Sequence, residues 1–303
     1  MIAGLIGLAL VPLGTWALPY SVIAYDMVRG LPNNCDAASR WNFARSTALM
    51  DNEFAVSKNE VQVIATDPAL DIEKVKTSGR DFWVPRQGAE MNGKELIAYL
   101  LAEHRWMEKA SPDRQVKPGD TVIDCGAHVG IFTDSALRRG AAKVIAFEID
   151  PVNLECLRRN FAKEIADRRL IVVAQGVWSS ETTMNFTISN QNSGRGSLVI
   201  QGFGTTTIPV PLTRIDVALQ TLGIERVDFI KMDIEGAERE ALAGATNTLR
   251  RFKPTLALDA YHLPDDPTVL PRIILAANPA YTATCGPCER FVDAYKPHVL
   301  YYR

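Results

Sequence analysis

From Gly119 onward the sequence predicts an α/β fold built on a mostly parallel sheet. Short apolar runs alternate with amphipathic stretches, glycines stand where a strand turns into a helix, and several apolar runs close on an acidic residue. Strands are expected at 121–125, 143–148, 169–174, 227–232, 255–260, about 280–284 and 297–302. Helices are expected at roughly 131–139, 151–165, 213–222, 236–251 and 267–277. The helix after Asp150 is the best marked: Asp150 can cap it, Pro151 suits its first position, and Leu154, Leu157, Phe161 and Ile165 make one apolar face.

The region before Gly119 is read as an extension. Pro32 to about Ser57 is mixed and polar, as in a wrapping segment with no core of its own. Val61–Ala65 and Asp81–Val84 are β-branched or aromatic runs that suggest a small hairpin, and Leu96, Ile97, Leu100, Leu101 and Trp106 follow a helical period. The resulting division is a hydrophobic N-terminal segment (1–25), a capping segment (26–110) and a main domain (111–303).

The first 25 residues carry no charge, and Ile2 to Ala24 is long enough for one apolar helical crossing of a bilayer. A signal peptide would open with Lys or Arg, and this segment does not. Arg29, Arg40 and Arg45 all follow it, so the positive-inside rule leaves the rest of the chain at the cytoplasmic face of a membrane. Pro12, Pro19 and three glycines weaken it as a helix, and the competing reading is a buried N-terminal arm.

The net charge of −2 offers no excess of Lys and Arg to neutralise a phosphate backbone, which argues against a nucleic-acid partner. Five cysteines form an odd set, and Cys125 and Cys156 fall in a buried strand and helix, so reduced thiols are expected. Cys285-Gly-Pro-Cys288 has metal or redox spacing, but it has no second pair and reads as a turn between two strands.

The chemistry concentrates in three segments. Val122 to Gly130 is an apolar strand that ends in Asp124 and turns through Gly126 and Gly130 into a helix, where ligands of open α/β sheets bind. The two glycines are expected to let the backbone pass close to a ligand. Their spacing lacks the G-x-G-x-x-G of a dinucleotide site, so a cofactor without phosphate fits better. Glu148 follows Asp124 by 24 residues at the end of the next strand, where a carboxylate can accept both hydrogen bonds of a ribose diol. Val227 to Glu238 repeats the strand-to-helix pattern and delivers Asp233, Glu235 and Glu238 beside the same crevice. Glu238 is equally well explained by the helix dipole.

VIDCGAHVG, AFEIDPVNLECLRRN and VDFIKMDIEGAEREALAGA, followed by Pro254 to His262, resemble the FkbM family of methyltransferases in order and spacing. The resemblance implies the Rossmann-like methyltransferase fold, a seven-stranded mostly parallel sheet with a C-terminal antiparallel hairpin. It also implies S-adenosylmethionine as cofactor and usually oxygen as acceptor. Asp124, Gly126 and His128 would then face the methionine part, Glu148 the ribose, and Val177 with Trp178 the adenine, with Gly130 and Asp233 completing the cofactor set. His128 stands where Asn is common, Ile149-Asp150 interrupts the usual Glu-Pro, and Asp259-Ala-Tyr-His262 replaces a Glu-x-His; these departures bear on the substrate more than on the cofactor.

A hydroxyl acceptor must lose its proton, and Asp233, Glu235 and His262 are the candidate catalytic residues for that step. The same three can instead gather a divalent metal. Ser189 to Gly204, carrying Arg195, reads as a loop over the acceptor or as an ordinary exposed hairpin. The expected activity is O-methylation of a small molecule, a sugar or a lipid-linked glycan. The competing readings are a membrane-tethered nucleoside-binding scaffold without turnover and a nicotinamide-dependent dehydrogenase.

Overall fold

The computed structural model describes Cys35 and residues 43–86, 88–202, 204–290 and 294–303. At its centre, among the described residues, lies a seven-stranded sheet of β4 (Thr121–Cys125), β5 (Lys143–Phe147), β6 (Leu170–Val173), β10 (Phe229–Met232), β11 (Thr255–Asp259), β12 (Ala283–Cys285) and β15 (Val299–Tyr302). Their order is β12-β15-β11-β10-β4-β5-β6, and β15 runs antiparallel to both neighbours while the pairings from β11 to β6 are parallel. The seven expected strands are present, and the last two form the antiparallel C-terminal pair.

Strand alternation splits the core into two layers. Val122, Val144, Phe229 and Ala257 face one layer, with Ile97 and Leu101 of α2 (Gly93–Ala110), Ile131 and Ala136 of α3 (Ile131–Arg138) and Leu157 of α4 (Pro151–Asn160). Ile123, Ile145, Ile230 and Leu256 face the other, with Ile215 of α6 (Ile215–Leu222), Leu242 of α7 (Glu238–Ala243), Leu249 of α8 (Thr246–Phe252) and Ile274 of α9 (Asp266–Ala277). Asp150 caps α4 as expected, its Oδ1 accepting from the N–H groups of Val152 and Asn153. The expected helix over 151–165 is broken at Phe161, with α5 (Ala162–Ala166) following, and that over 236–251 is split at Gly244 and Ala245 between α7 and α8.

The N-terminal part is more ordered than its sequence implies. The segment expected to lack a core contains α1 (Phe43–Glu60), which lies on α2 through Trp106 Nε1 donating to Ser46 Oγ (2.9 Å), the Lys109–Glu53 pair and an edge contact between Phe54 and Tyr99. The expected hairpin is a three-stranded antiparallel sheet, because β2 (Ile72–Lys76) pairs with both β1 (Gln62–Asp67) and β3 (Phe82–Pro85). Ile72, Val75 and Phe82 join the same apolar layer as the central sheet, so the extension and the main domain share a core.

Two further sheets complete the chain. One is β7 (Gly176–Val177), β8 (Thr182–Ile188) and β9 (Thr206–Thr213); the other is β13 (Cys288–Arg290) with β14 (Tyr295–Pro297). Cys285 and Cys288 end β12 and begin β13, so the Cys-Gly-Pro-Cys stretch is the expected turn. The expectation of reduced thiols fails, however: Cys288 forms a disulfide with Cys35, while Cys125 and Cys156 are buried thiols. A bridge between residues 253 apart is set only by the folded chain, and no local signal pairs the turn cysteine with Cys35. Residues 2–24, expected to be an anchor, lie outside the described residues; among the described residues no helix is long and apolar enough to cross a membrane.

Candidate functional site

The sheet's strand order reverses between β4 and β10, and a cavity of about 600 Å³ opens there at the carboxyl ends of the strands. The two turns leaving these strands are interlocked. Asp233 N–H donates to Cys125 O (3.2 Å), and a Cβ on Gly126 (φ +75°) would lie 2.0 Å from Asp233 O. Gly126 is thus required by the neighbouring strand tip. Gly130 (φ +99°) is required for another reason, since its Cβ would meet the Phe161 ring at 2.2 Å; it packs against α4 and does not line the cavity, contrary to its expected ligand contact.

Glu148 follows β5 directly and lines the cavity at 8% exposure. Its Oε2 accepts from His128 N–H (2.7 Å) and its Oε1 from the N–H groups of Ile149 (2.7 Å) and Asp150 (2.8 Å). These bonds aim the carboxylate and leave lone pairs for a diol. Burial, only partly opposed by those N–H groups, pushes its pKa up to about 7. His128 also lines the cavity, with Nε2 2.8 Å from Ser193 Oγ. Val177 lines the wall with Phe147, Ile149, Phe186 and Leu198. Trp178 does not: it packs with Phe186, Val210 and Leu212 behind that wall.

Asp124 is fully buried behind the cavity, where its Oδ2 accepts from Thr133 Oγ1 (2.7 Å). It does not line the cavity, contrary to the ligand contact that the resemblance implied. Opposite it in the register is Lys231, whose Nζ donates to Gly126 O (3.0 Å) and stands 3.7 Å from both Asp124 Oδ1 and Asp233 Oδ2. Burial alone would discharge this ammonium, but Asp233 and Asp124 hold it charged, and it in turn is the main influence that keeps the Asp233 carboxyl below its usual range against burial. Sequence reading gave Lys231 no role. The signal was there: Phe229, Lys231 and Asp233 alternate onto one face of an apolar strand, and a lysine on that face needs anions.

Asp233, Glu235 and His262 do converge. His262 Nε2 lies 3.5 Å from Asp233 Oδ1 and 3.7 Å from Glu235 Oε2, while its Nδ1 is 3.0 Å from Glu238 Oε1. Glu238 is fully buried, also accepts from Ile234 N–H (2.9 Å), and lies behind His262 rather than in the cavity, which corrects its expected place at the crevice. Burial lowers the His262 pKa, but Glu238, Glu235 and Asp233 outweigh it and leave the ring well above its ordinary value. Burial likewise raises Glu235 to about 7. Glu235 (φ 52°) and His128 (φ 52°) both hold left-handed backbone, a conformation that costs about 1 kcal/mol or more in a residue other than glycine. Both of these strained residues line the cavity.

The chain's match to the methyltransferase FkbM domain runs over residues 124–278, from the end of β4 to just beyond α9, and so contains all of these strand tips. The protein is a member of the FkbM methyltransferase family. The chain is 29% identical over 153 residues to methyltransferase sdnD of Sordaria araneosa, covering 41% of this chain and 59% of that protein. A shorter stretch of 48 residues is 46% identical to the ribosomal protein L11 methyltransferase of Bacillus cytotoxicus, covering 16% of this chain and 15% of that one. The chain therefore spans less than two thirds of the length of either relative. Among solved structures, the methyltransferase FkbM of Methylobacillus flagellatus is 18% identical with a TM-score of 0.48, over 86% of this chain and 60% of that one.

Beyond the strand tips, the cavity of this FkbM domain runs on between the central sheet and α2. Tyr99, Glu103, Asp259, Tyr261, Glu289 and His298 line that end. His298 lies between Glu103 (Nε2 to Oε1 3.3 Å) and Glu289 (Nδ1 to Oε2 3.3 Å) and stacks on Tyr261. Sequence reading named none of Glu103, Glu289 or His298, for Glu103 lies in α2 and its partner His298 comes 195 residues later, beside the β13–β14 pair that carries Glu289. The loop over 189–205 supplies Ser193, Gly194, Arg195 and Leu198 to the wall, and Ser197 Oγ donates to Glu235 O (2.7 Å). The loop thus lines the cavity, which an ordinary exposed hairpin would not do.

Proposed function

We propose that this methyltransferase uses S-adenosylmethionine to methylate a hydroxyl oxygen on a small molecule, a sugar or a lipid-linked glycan. The observation that carries the reading is Glu148: a buried carboxylate, oriented by three backbone N–H groups, at the edge of a 600 Å³ cavity that continues to Asp233, Glu235 and His262. S-adenosylmethionine would supply an electrophilic methyl on a sulfonium. Glu148 would accept from the ribose hydroxyls, Gly126 and His128 would border the amino-acid part, and the apolar wall at Val177 would take the base. Asp233, held ionised, favours a cation beside it. Glu235, at the mouth of the second turn, is placed to receive the hydroxyl proton as the displacement proceeds in line.

The test is transfer of radiolabelled methyl from S-adenosylmethionine to a library of hydroxyl acceptors, with calorimetric titration of S-adenosylhomocysteine and NAD alongside. Binding of the homocysteine nucleoside but not NAD, with labelled product, supports the reading. Nucleoside binding with no labelled product under any acceptor supports the scaffold without turnover.

Membrane association through residues 2–24 remains a proposal, tested by sedimentation of the full chain against a chain starting at Asn33. Disulfides persist in oxidising compartments, so the Cys35–Cys288 bridge gives no support to a cytoplasmic position, which rests on the three basic residues alone.

A further inference from the structure

We propose that Asp233, Asp259 and His262 hold a divalent cation at the acceptor side of the cavity, and that the accepting hydroxyl binds to this cation. The second half rests on the methyltransferase reading; the first does not. One ligand atom from each residue lies within 4.8 Å of the other two, so a small closing movement brings all three onto one ion. The three belong to adjacent parallel strands: Asp259 ends β11, Asp233 follows β10, and His262 comes three residues after Asp259.

The histidine is what separates this cluster from an ordinary group of acids. Its side chain is 3% exposed, and Nε2 is buried without a hydrogen-bond partner while facing Asp233 and Glu235. Its other nitrogen is fixed by the Glu238 carboxylate at 3.0 Å. A buried imidazole with one nitrogen anchored on a carboxylate and the other turned toward oxygen ligands is how proteins present histidine to a metal. Glu238, which itself does not reach the cavity, then has a function as the residue that sets the ring's orientation.

Two carboxylates and one imidazole form a mixed oxygen and nitrogen donor set, which suits Mn²⁺, Fe²⁺ or Zn²⁺ better than Mg²⁺. Three protein ligands leave coordination positions open toward the cavity. A hydroxyl bound there is acidified. Its proton passes to Glu235, the oxygen–methyl bond forms as the sulfur–methyl bond breaks, and the neutral thioether and the protonated carboxyl leave the charge balanced. Tyr261 stands between His262 and His298 in the ring stack and lines the cavity beside this cluster.

The experiment is titration of the chelator-treated full chain with Mn²⁺, read by the electron paramagnetic resonance of unbound Mn²⁺, with Zn²⁺ as competitor. One saturable equivalent is expected, displaced by Zn²⁺. Asp259→Asn and His262→Gln should each weaken it at least tenfold, with circular dichroism confirming that both variants fold. Absence of saturable binding of either ion to the wild-type chain overturns the proposal whatever the variants do, as does binding that neither substitution changes. In that case the protonated His262 itself is the cation between the carboxylates. Titration of S-adenosylhomocysteine into the same samples keeps the nucleoside reading separate, because Asp259→Asn should leave that affinity within threefold.

Discussion

The two ends of the cavity are built in different ways. The end at β4 and β5 centres on the stretch from Gly126 to Asp150, closed by an apolar wall of Val177, Phe186 and Leu198, and its polar contacts are largely backbone N–H groups gathered on Glu148. The end under α2 draws on Tyr99 and Glu103, Lys231 to Glu235, Asp259 to His262, Glu289 and His298, and its contacts are between polar side chains. A site made of backbone and one carboxylate recognises a constant ligand. A site made of side chains from five segments can change its substrate by substitution while the first end stays as it is. The disulfide belongs to the second end, since Cys288 immediately precedes Glu289 on β13.

That division predicts separable losses. The largest is expected for Glu235→Ala: turnover should fall by roughly 10²–10⁴, the range for removing a general base, while S-adenosylhomocysteine affinity stays within threefold by calorimetry. Parallel losses in both would mean that the two ends are one. Next is Cys35→Ser, expected to cost about 2–5 kcal/mol in denaturant unfolding and to raise the acceptor KM before it affects nucleoside affinity. An unchanged unfolding midpoint in the presence and absence of reductant would show that the bridge does not restrain the chain.

Glu148→Ala should weaken S-adenosylhomocysteine by about 10- to 100-fold, the loss of hydrogen bonds to one charged group, with little change in folding. The smallest effect is a pH dependence. The Glu148 pKa stands near 7, raised first by burial and then by the Asp150 charge and lowered by the N–H groups of Asp150, Ile149 and His128. A diol binds the ionised form, so nucleoside affinity should decline as pH falls below 7, by at most about tenfold per unit, with one proton released on binding. Glu148→Gln should flatten the profile; a slope that survives this substitution belongs to another group.

What could be read in advance divides along the same line. Asp124, Gly126 and Glu148 were legible because each sits at a strand end that apolar alternation and a following helix announce. Even there the roles differed from expectation: Gly126 and Gly130 are glycine because Asp233 O and the Phe161 ring leave no room for a Cβ, and Asp124 works from behind the cavity. Trp178 was placed correctly on the chain but faces the apolar cluster behind the wall, because its neighbour Val177 takes the inward position and alternation turns it away. The helix α1 escaped notice because no single stripe of apolar residues marks it, and α2 supplies the partner that stabilises it.

By itself the sequence determined the sheet and its strand-end acids, since hydrophobic periodicity acts over a few residues. The tertiary structure alone decided that Lys231 would stand between Asp124 and Asp233, that Glu238 would anchor His262, that Glu103 and Glu289 would flank His298, and that Cys35 would find Cys288. Apart from the local Lys231–Asp233 and Glu289–His298 pairs, those contacts join residues from 24 to 253 positions apart, and strand register and helix packing rather than local preference bring such partners together.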